Sequence, residues 1–124
     1  MRDVVKVFKS LSDETRLRIL NVLLERECCV CEVMQALGIS QSRASRNLNA
    51  LYDAGFLTLR KEGLWSVYSI DKKGMKEYQS QLIEAVGKAI KGNKIALRDV
   101  ERLKKSERVC PGCAPRIMLK AKEA

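Results

Sequence analysis

Between Val30 and Gly55 the chain reads as two short helices hinged at a glycine, and no other stretch constrains the fold as strongly. Residues 30–37 (VCEVMQAL) set Val30, Val33, Met34 and Leu37 on one helical face. Gly38 stops that helix and Ile39 is a small apolar plug in the turn. Ser40 is placed to cap a second helix, SQSRASRNLNALYDAG, which Gly55 ends. Helix, glycine-containing turn, helix is the pattern of a helix-turn-helix. FLTLRK and WSVYSI follow, each alternating apolar and polar residues, with Glu62-Gly63 between them. That alternation predicts a β-hairpin, or wing, beside the second helix.

The flanks read as further helices. Residues 2–10 put Val4, Val5 and Phe8 on one side of a short helix. Ser12 is expected to cap the next one, with Asp13 and Glu14 in its first turn, where the helix dipole favours acids. Leu17, Ile19, Leu20, Val22, Leu23 and Leu24 give that helix a broad apolar face, with Arg16 and Arg18 off it. Asp71 is expected to cap a long amphipathic helix bearing Met75, Tyr78, Leu82, Ile83, Val86 and Ile90. Such a helix has apolar surface to spare after packing on one domain, so a homodimer is expected. Gly92-Asn93 breaks it, and residues 94–108 read as a solvated helix. The expected fold is therefore mainly α with a small β-hairpin, a dimeric winged helix-turn-helix. Residues 1–92 would form the domain, and residues 93–124 a basic C-terminal extension.

The chain has 124 residues, one domain's worth, with 24 Lys+Arg against 15 Asp+Glu and a net charge of +9. That excess points to a polyanionic partner, nucleic acid first. Residues 91–124 hold most of it: 10 basic and 4 acidic side chains there, net +6, against 14 and 11 in residues 1–90, net +3. Any contact of the folded part with nucleic acid must then come from placement rather than bulk charge. No stretch has the length of a membrane span and the N-terminus lacks a signal-peptide core, so a cytoplasmic protein without a membrane partner is expected. Five cysteines in a reducing compartment read as thiols for metal binding or redox sensing rather than a disulfide framework. The chain has no histidine, which excludes histidine-ligated zinc and histidine-based acid/base catalysis. Neither an enzyme nor an organic cofactor is expected.

In a helix-turn-helix the second helix lies in the major groove and its N-terminal residues reach base edges. Here those residues are Gln41, Ser42, Arg43, Ser45, Arg46 and Asn49, while Ala44, Leu48 and Leu51 face inward. Gln and Asn contact adenine in bidentate fashion, and Arg guanine. No acidic residue interrupts residues 40–52. An ordinary polar helix surface is the plainer alternative, but turn, cap, basic face and wing coincide here. Arg60 and Lys61 on the hairpin suit phosphates or the neighbouring groove. Trp65 suits packing of the wing better than DNA.

Cys28, Cys29 and Cys31 stand at the mouth of the first of the two helices, where a free helix N-terminus favours thiolate. Three sulfurs within four residues suit a small thiophilic ion. Four-coordinate zinc would want a fourth ligand, whereas three-coordinate As(III) would not. Buried structural cysteines are the bland alternative. Cys110-Pro-Gly-Cys113 is a Cys-x-x-Cys pair suited to metal capture or disulfide cycling, and no βαβ pattern surrounds it to make it thioredoxin-like.

LSDETRLRIL, CVCEVMQALGISQSRASRNLNALYDAGFL and RKEGLWSVYSI together resemble the ArsR/SmtB family of winged-helix repressors over residues 4–90. Cys-Val-Cys before the turn resembles its arsenic-responsive branch. The resemblance implies a homodimer built by the first and last helices and bound to double-stranded operator DNA of two-fold symmetry. It further implies As(III) or Sb(III) as inducer, ligated by Cys28, Cys29 and Cys31 or with a sulfur from Cys110 or Cys113. The family pattern often has a third cysteine a turn after the pair, and Met34 stands there instead. Within the same fold, a thiol-based redox or persulfide sensor is the alternative signal.

Overall fold

A computed structural model describes residues 1–109. Cys110 and Cys113, with the rest of the basic end, lie outside the described residues. The element order is α1 (Arg2–Leu11), α2 (Glu14–Glu25), β1 (Cys28–Cys29), α3 (Val30–Leu37), α4 (Gln41–Asp53), β2 (Leu57–Glu62), β3 (Trp65–Ile70), α5 (Glu77–Ile90) and α6 (Lys94–Lys104). This is a winged helix-turn-helix, with α3 and α4 as the helix pair and β2–β3 as the wing.

The core forms where the apolar faces of α2, α3 and α4 meet the base of the hairpin. Ile19, Leu20, Val22 and Leu23 of α2 pack with Val33, Ala36 and Leu37 of α3, Ala44, Leu48 and Leu51 of α4, and Phe56. Ile39 is buried in the turn as a plug. Gly38 sits at φ 70°, a left-handed conformation that favours glycine, and a Cβ there would meet the Arg102 guanidinium at 3.1 Å. Ser40 caps α4 as its sequence predicts, its Oγ accepting from the Arg43 amide at 3.2 Å. The hairpin runs in register from Leu57 opposite Ile70 to Glu62 opposite Trp65.

Four features depart from the sequence-based expectation. The N-cap of α2 is Asp13, whose carboxylate accepts from the Arg16 amide at 3.0 Å. Ser12 instead donates to the Phe8 carbonyl and closes α1. The second is α5, which begins at Glu77 rather than after Asp71. Asp71 accepts from the Gly74 amide at 2.9 Å, so its carboxylate closes a local turn and is not free to cap a helix. The capping role passes to Gln79, which accepts from the Lys76 amide and donates to the Ala54 carbonyl. Third, Cys28 and Cys29 form a short strand, β1, antiparallel to β3 with Cys28 opposite Tyr68 and Cys29 opposite Val67, making a sheet of order β1-β3-β2. Last, α6 is not a solvated helix: Ala96, Asp99 and Leu103 are buried against the body. Arg18 of α2 holds the carboxylate of Asp99 with two hydrogen bonds, at 2.7 and 2.9 Å. Among the described residues no helix is long and apolar enough to cross a membrane.

Candidate functional site

Two surfaces carry chemistry, and α3 joins them. The first is the outer face of α4. With Ala44, Leu48 and Leu51 turned into the core, Gln41, Ser42, Arg43, Arg46 and Asn49 are exposed and Ser45 is half-buried. Gln41 and Arg46 have no side-chain hydrogen bond among the described residues, so both head groups are available. Arg43 is steadied by Thr15 at 2.9 Å, and its carbonyl accepts from Asn47, which in turn accepts from Arg16. Asn49 reaches Asp53 at 3.4 Å. This places a polar, cationic face at the N-terminal half of α4, where the helix dipole adds positive potential.

The wing is electrostatically mixed. Arg60 is exposed, but its guanidinium lies between Glu27 and Glu62, 2.7 Å from Glu27 Oε1 and 2.8 Å from Glu62 Oε2. Its hydrogen bond to Glu27, then that to Glu62, raises its pKa. Among the described residues Lys61 reaches only the Ser66 hydroxyl, at 2.6 Å, and is exposed.

The second surface is the mouth of α3. Cys29 is its N-cap, and Glu32 at N3 reaches back to accept from the Cys29 amide at 2.9 Å. Burial works to raise the Glu32 pKa. The Cys29 amide and the Arg26 guanidinium outweigh it and hold the carboxyl below its ordinary range. Cys29 Sγ and Cys31 Sγ stand 2.7 Å apart. Either sulfur can donate across that contact; sharing one proton pushes the Cys29 thiol up and the Cys31 thiol down, the latter helped by the backbones of Val109 and Glu32. The Cys29 thiol, rather than the helix start, is the main cause of the lowering at Cys31. Cys28 behaves differently: fully buried on β1, with its Sγ toward the Arg26 carbonyl at 3.4 Å, it is pushed up to about 12 by desolvation. The structure thus brings Cys29 and Cys31 together, and among the described residues no three Cys, Asp or Glu side chains converge as a metal-ligand group.

Sequence reasoning missed the shell around this pair. The Cys29-x-x-Glu32 spacing is a capping-box signal that was available in the sequence. Gln35, Trp65, Arg108 and Val109 carried no such signal, because they meet only in three dimensions. Trp65 does pack as expected of a wing residue, and its partner is the end of the described chain: the indole Nε1 donates to the Val109 carbonyl at 2.8 Å.

A hinged helix pair, a polar reading helix and a wing define a winged helix-turn-helix DNA-binding regulator. The family model described as "Bacterial regulatory protein, arsR family" matches residues 13–58. The chain is 34% identical over 108 residues to an arsenic resistance transcriptional regulator of Pseudomonas putida, covering 84% of this chain and 94% of that one. It is 46% identical over 83 residues to a cadmium resistance transcriptional regulatory protein homologue of Staphylococcus aureus, covering 66% of this chain and 65% of that protein, just under two thirds of its length. Among solved structures it is similar to a homodimeric winged helix-turn-helix DNA-binding domain from Mycobacterium bovis, with a TM-score of 0.61, 30% identity, and coverage of 75% of this chain and 82% of the other. The chain belongs to the ArsR family of transcriptional regulators, which are DNA-binding proteins rather than enzymes.

Proposed function

We propose that this chain is a cytoplasmic repressor that binds a two-fold symmetric operator as a homodimer and releases it when As(III) or Sb(III) is held by its thiols. The observation that carries this reading is the Cys29–Cys31 sulfur pair, 2.7 Å apart at the start of the helix that leads into the DNA-reading helix. Two sulfurs in contact, one of them favoured as thiolate, are the donor chemistry of a soft ion. Relatives named for arsenic and cadmium resistance support an inducer of that class. When bound, As(III) supplies a trigonal centre that takes three sulfurs. Cys29 and Cys31 provide two, and Cys28, Cys110 and Cys113 are the candidates for the third.

In the proposed complex Gln41 and Arg46 reach base edges, while Ser42, Arg43 and Ser45 meet phosphates and Asn49 lies further along the groove. Lys61, exposed on the wing and without a salt bridge among the described residues, is placed to meet phosphate. Arg60 would first have to leave Glu27 and Glu62.

Coupling follows from the shortness of α3. Its eight residues have Cys31 in the first turn with Cys29 as the N-cap, and the Gly38 hinge follows at the other end. Regrouping the sulfurs tilts α3 as a rod, and the tilt is passed through Gly38 and Ile39 to α4. Typical allosteric couplings of roughly 1–3 kcal/mol suffice to loosen the operator. The sulfur contact also supports a second reading, in which an oxidant or a persulfide rather than a soft ion is the signal. The two separate under strictly anaerobic, reduced conditions. Release of operator fragments by As(III) alone supports the first, and release only by oxidant supports the second.

A further inference from the structure

We propose that α6 is a second DNA-binding element, a row of cations for the phosphate backbone beside the turn that leads into α4, with Arg102 at its centre. This rests on the reading of α4 as the groove helix and adds contacts outside the helix pair and the wing.

Positive charge is concentrated on this helix. Residues 94–105 carry five basic side chains, Lys94, Arg98, Arg102, Lys104 and Lys105, against two acidic ones, Asp99 and Glu101. They are five of the ten basic residues in 91–124, a surplus that α4 and the wing leave unexplained. Lys94, Arg98, Arg102 and Lys105 are spaced by four, four and three, so they share one stripe of the helix, while Ala96, Asp99 and Leu103 are buried. Neither acid neutralises that stripe. Asp99 is fully buried and held by Arg18, and Glu101 lies 3.6 Å from Lys104. Arg98 approaches Asp99 only to 3.7 Å and stays exposed. Lys94, Arg102 and Lys105 have no salt bridge among the described residues.

The course of α6 sets the stripe beside the reading helix. Arg18 donates both to Asp99 and to the Leu37 carbonyl at the end of α3. Beyond α6, Gln35 takes both backbone groups of Glu107. The chain from Asp99 to Glu107 thus runs back along α3, starting at the turn. There the two terminal nitrogens of Arg102 lie 3.1 and 3.2 Å from where a Cβ would stand on Gly38. Gly38 and Ser40 are exposed at this point, and Gln41 opens α4. Arg102 makes no side-chain hydrogen bond among the described residues, so a half-buried guanidinium is set over the turn with its donors unused.

Duplex DNA is the occupant this charge suits. A row of cations carries no base code but matches a continuous line of phosphates, and such contacts add affinity without sequence preference. Base readout stays with α4.

The test is anisotropy of labelled duplexes with the apo full chain between about 50 and 200 mM salt, using a palindromic operator and a scrambled duplex of equal length. Arg102→Gln is expected to weaken both duplexes by the same factor and to lower the slope of log affinity against log salt by about one per protomer. Arg98→Gln added to it should lower the slope further, and Arg102→Lys should keep it. Lys88→Gln, which removes an exposed cation from α5, should leave the slope unchanged. An equal fall in Lys88→Gln would overturn the proposal, because net charge alone would then account for the effect. A native slope in Arg102→Gln overturns it as well, including where affinity falls together with the urea midpoint, since Arg102 would then only brace the turn. Native operator affinity in Arg46→Ala and Gln41→Ala would instead overturn the underlying reading of α4.

Discussion

Burial and hydrogen bonding separate cysteines that are chemically alike. Cys28 is enclosed and its thiol is pushed up, whereas Cys31 is partly open and its thiolate is stabilised by the Cys29 thiol. Because the Cys31 pKa is lowered, its reactive form persists to lower pH than that of an ordinary thiol. With a limiting amount of iodoacetamide near neutral pH, mass mapping should find Cys31 modified first and Cys28 protected until the chain unfolds. On α4, Arg46→Ala and Gln41→Ala should each weaken operator binding by roughly 1–3 kcal/mol without unfolding the protein, the worth of a bidentate base contact. Unchanged affinity in both, measured by titration of a palindromic duplex, would put the wrong face of the helix in the groove. At this scale the polar, exposed face of α4 was almost completely legible in the sequence, because helical periodicity alone separates Ala44, Leu48 and Leu51 from Gln41 and Arg46. It did not reveal that Arg60 is engaged by Glu27, a residue 33 positions away.

α6 shows how an element can be legible while its role is not. Its helical period was visible, but a basic, charge-rich stretch gives no sign that a carboxylate on it is buried. Asp99 is fully buried and is held by Arg18, whose guanidinium also donates to the Leu37 carbonyl at the end of α3. The hydrogen bond to Asp99 raises the Arg18 pKa, so the guanidinium stays charged throughout the usable pH range. Arg18→Ala leaves the Asp99 carboxylate buried without its main partner and should cost roughly 3–5 kcal/mol, read from the urea midpoint at fixed protein concentration. A loss below 1 kcal/mol would mean that α6 is a loosely attached surface helix. Local chemistry likewise overrode periodicity at Asp71, where an Asx turn with Gly74 outcompeted a helix cap. The strand β1 was unreadable because two residues carry no period.

Over the whole molecule, the described chain leaves an apolar face uncovered. Val4, Val5 and Phe8 of α1 are 40, 43 and 51% exposed, although Val7 on the same helix is buried. Along α5, Ile83 is buried and Leu82 half-buried against the core, with Val86 and Ile90 partly open. Exposed apolar side chains gathered on the first and fifth helices are what a second copy would cover. Phe8→Glu should therefore yield a folded protein that runs as a monomer at micromolar concentration, where the native chain is expected to run as a dimer by light scattering. The variant should also lose cooperative binding to a symmetric operator, since the two reading helices would no longer be held at a fixed spacing.

The central claim is that ligation at Cys29 and Cys31 controls the grip of α4 on DNA, and anisotropy of a labelled operator duplex under anaerobic, reduced conditions tests it most directly. For the native chain, arsenite should lower operator affinity by roughly 5–150-fold, the range of ordinary allosteric coupling. The Cys29→Ser, Cys31→Ser double variant should bind the operator as tightly as the native apo protein and ignore arsenite. Full release of DNA from that double variant by arsenite would contradict the account, because the sensing thiols would then lie elsewhere and the route through α3 would carry no signal.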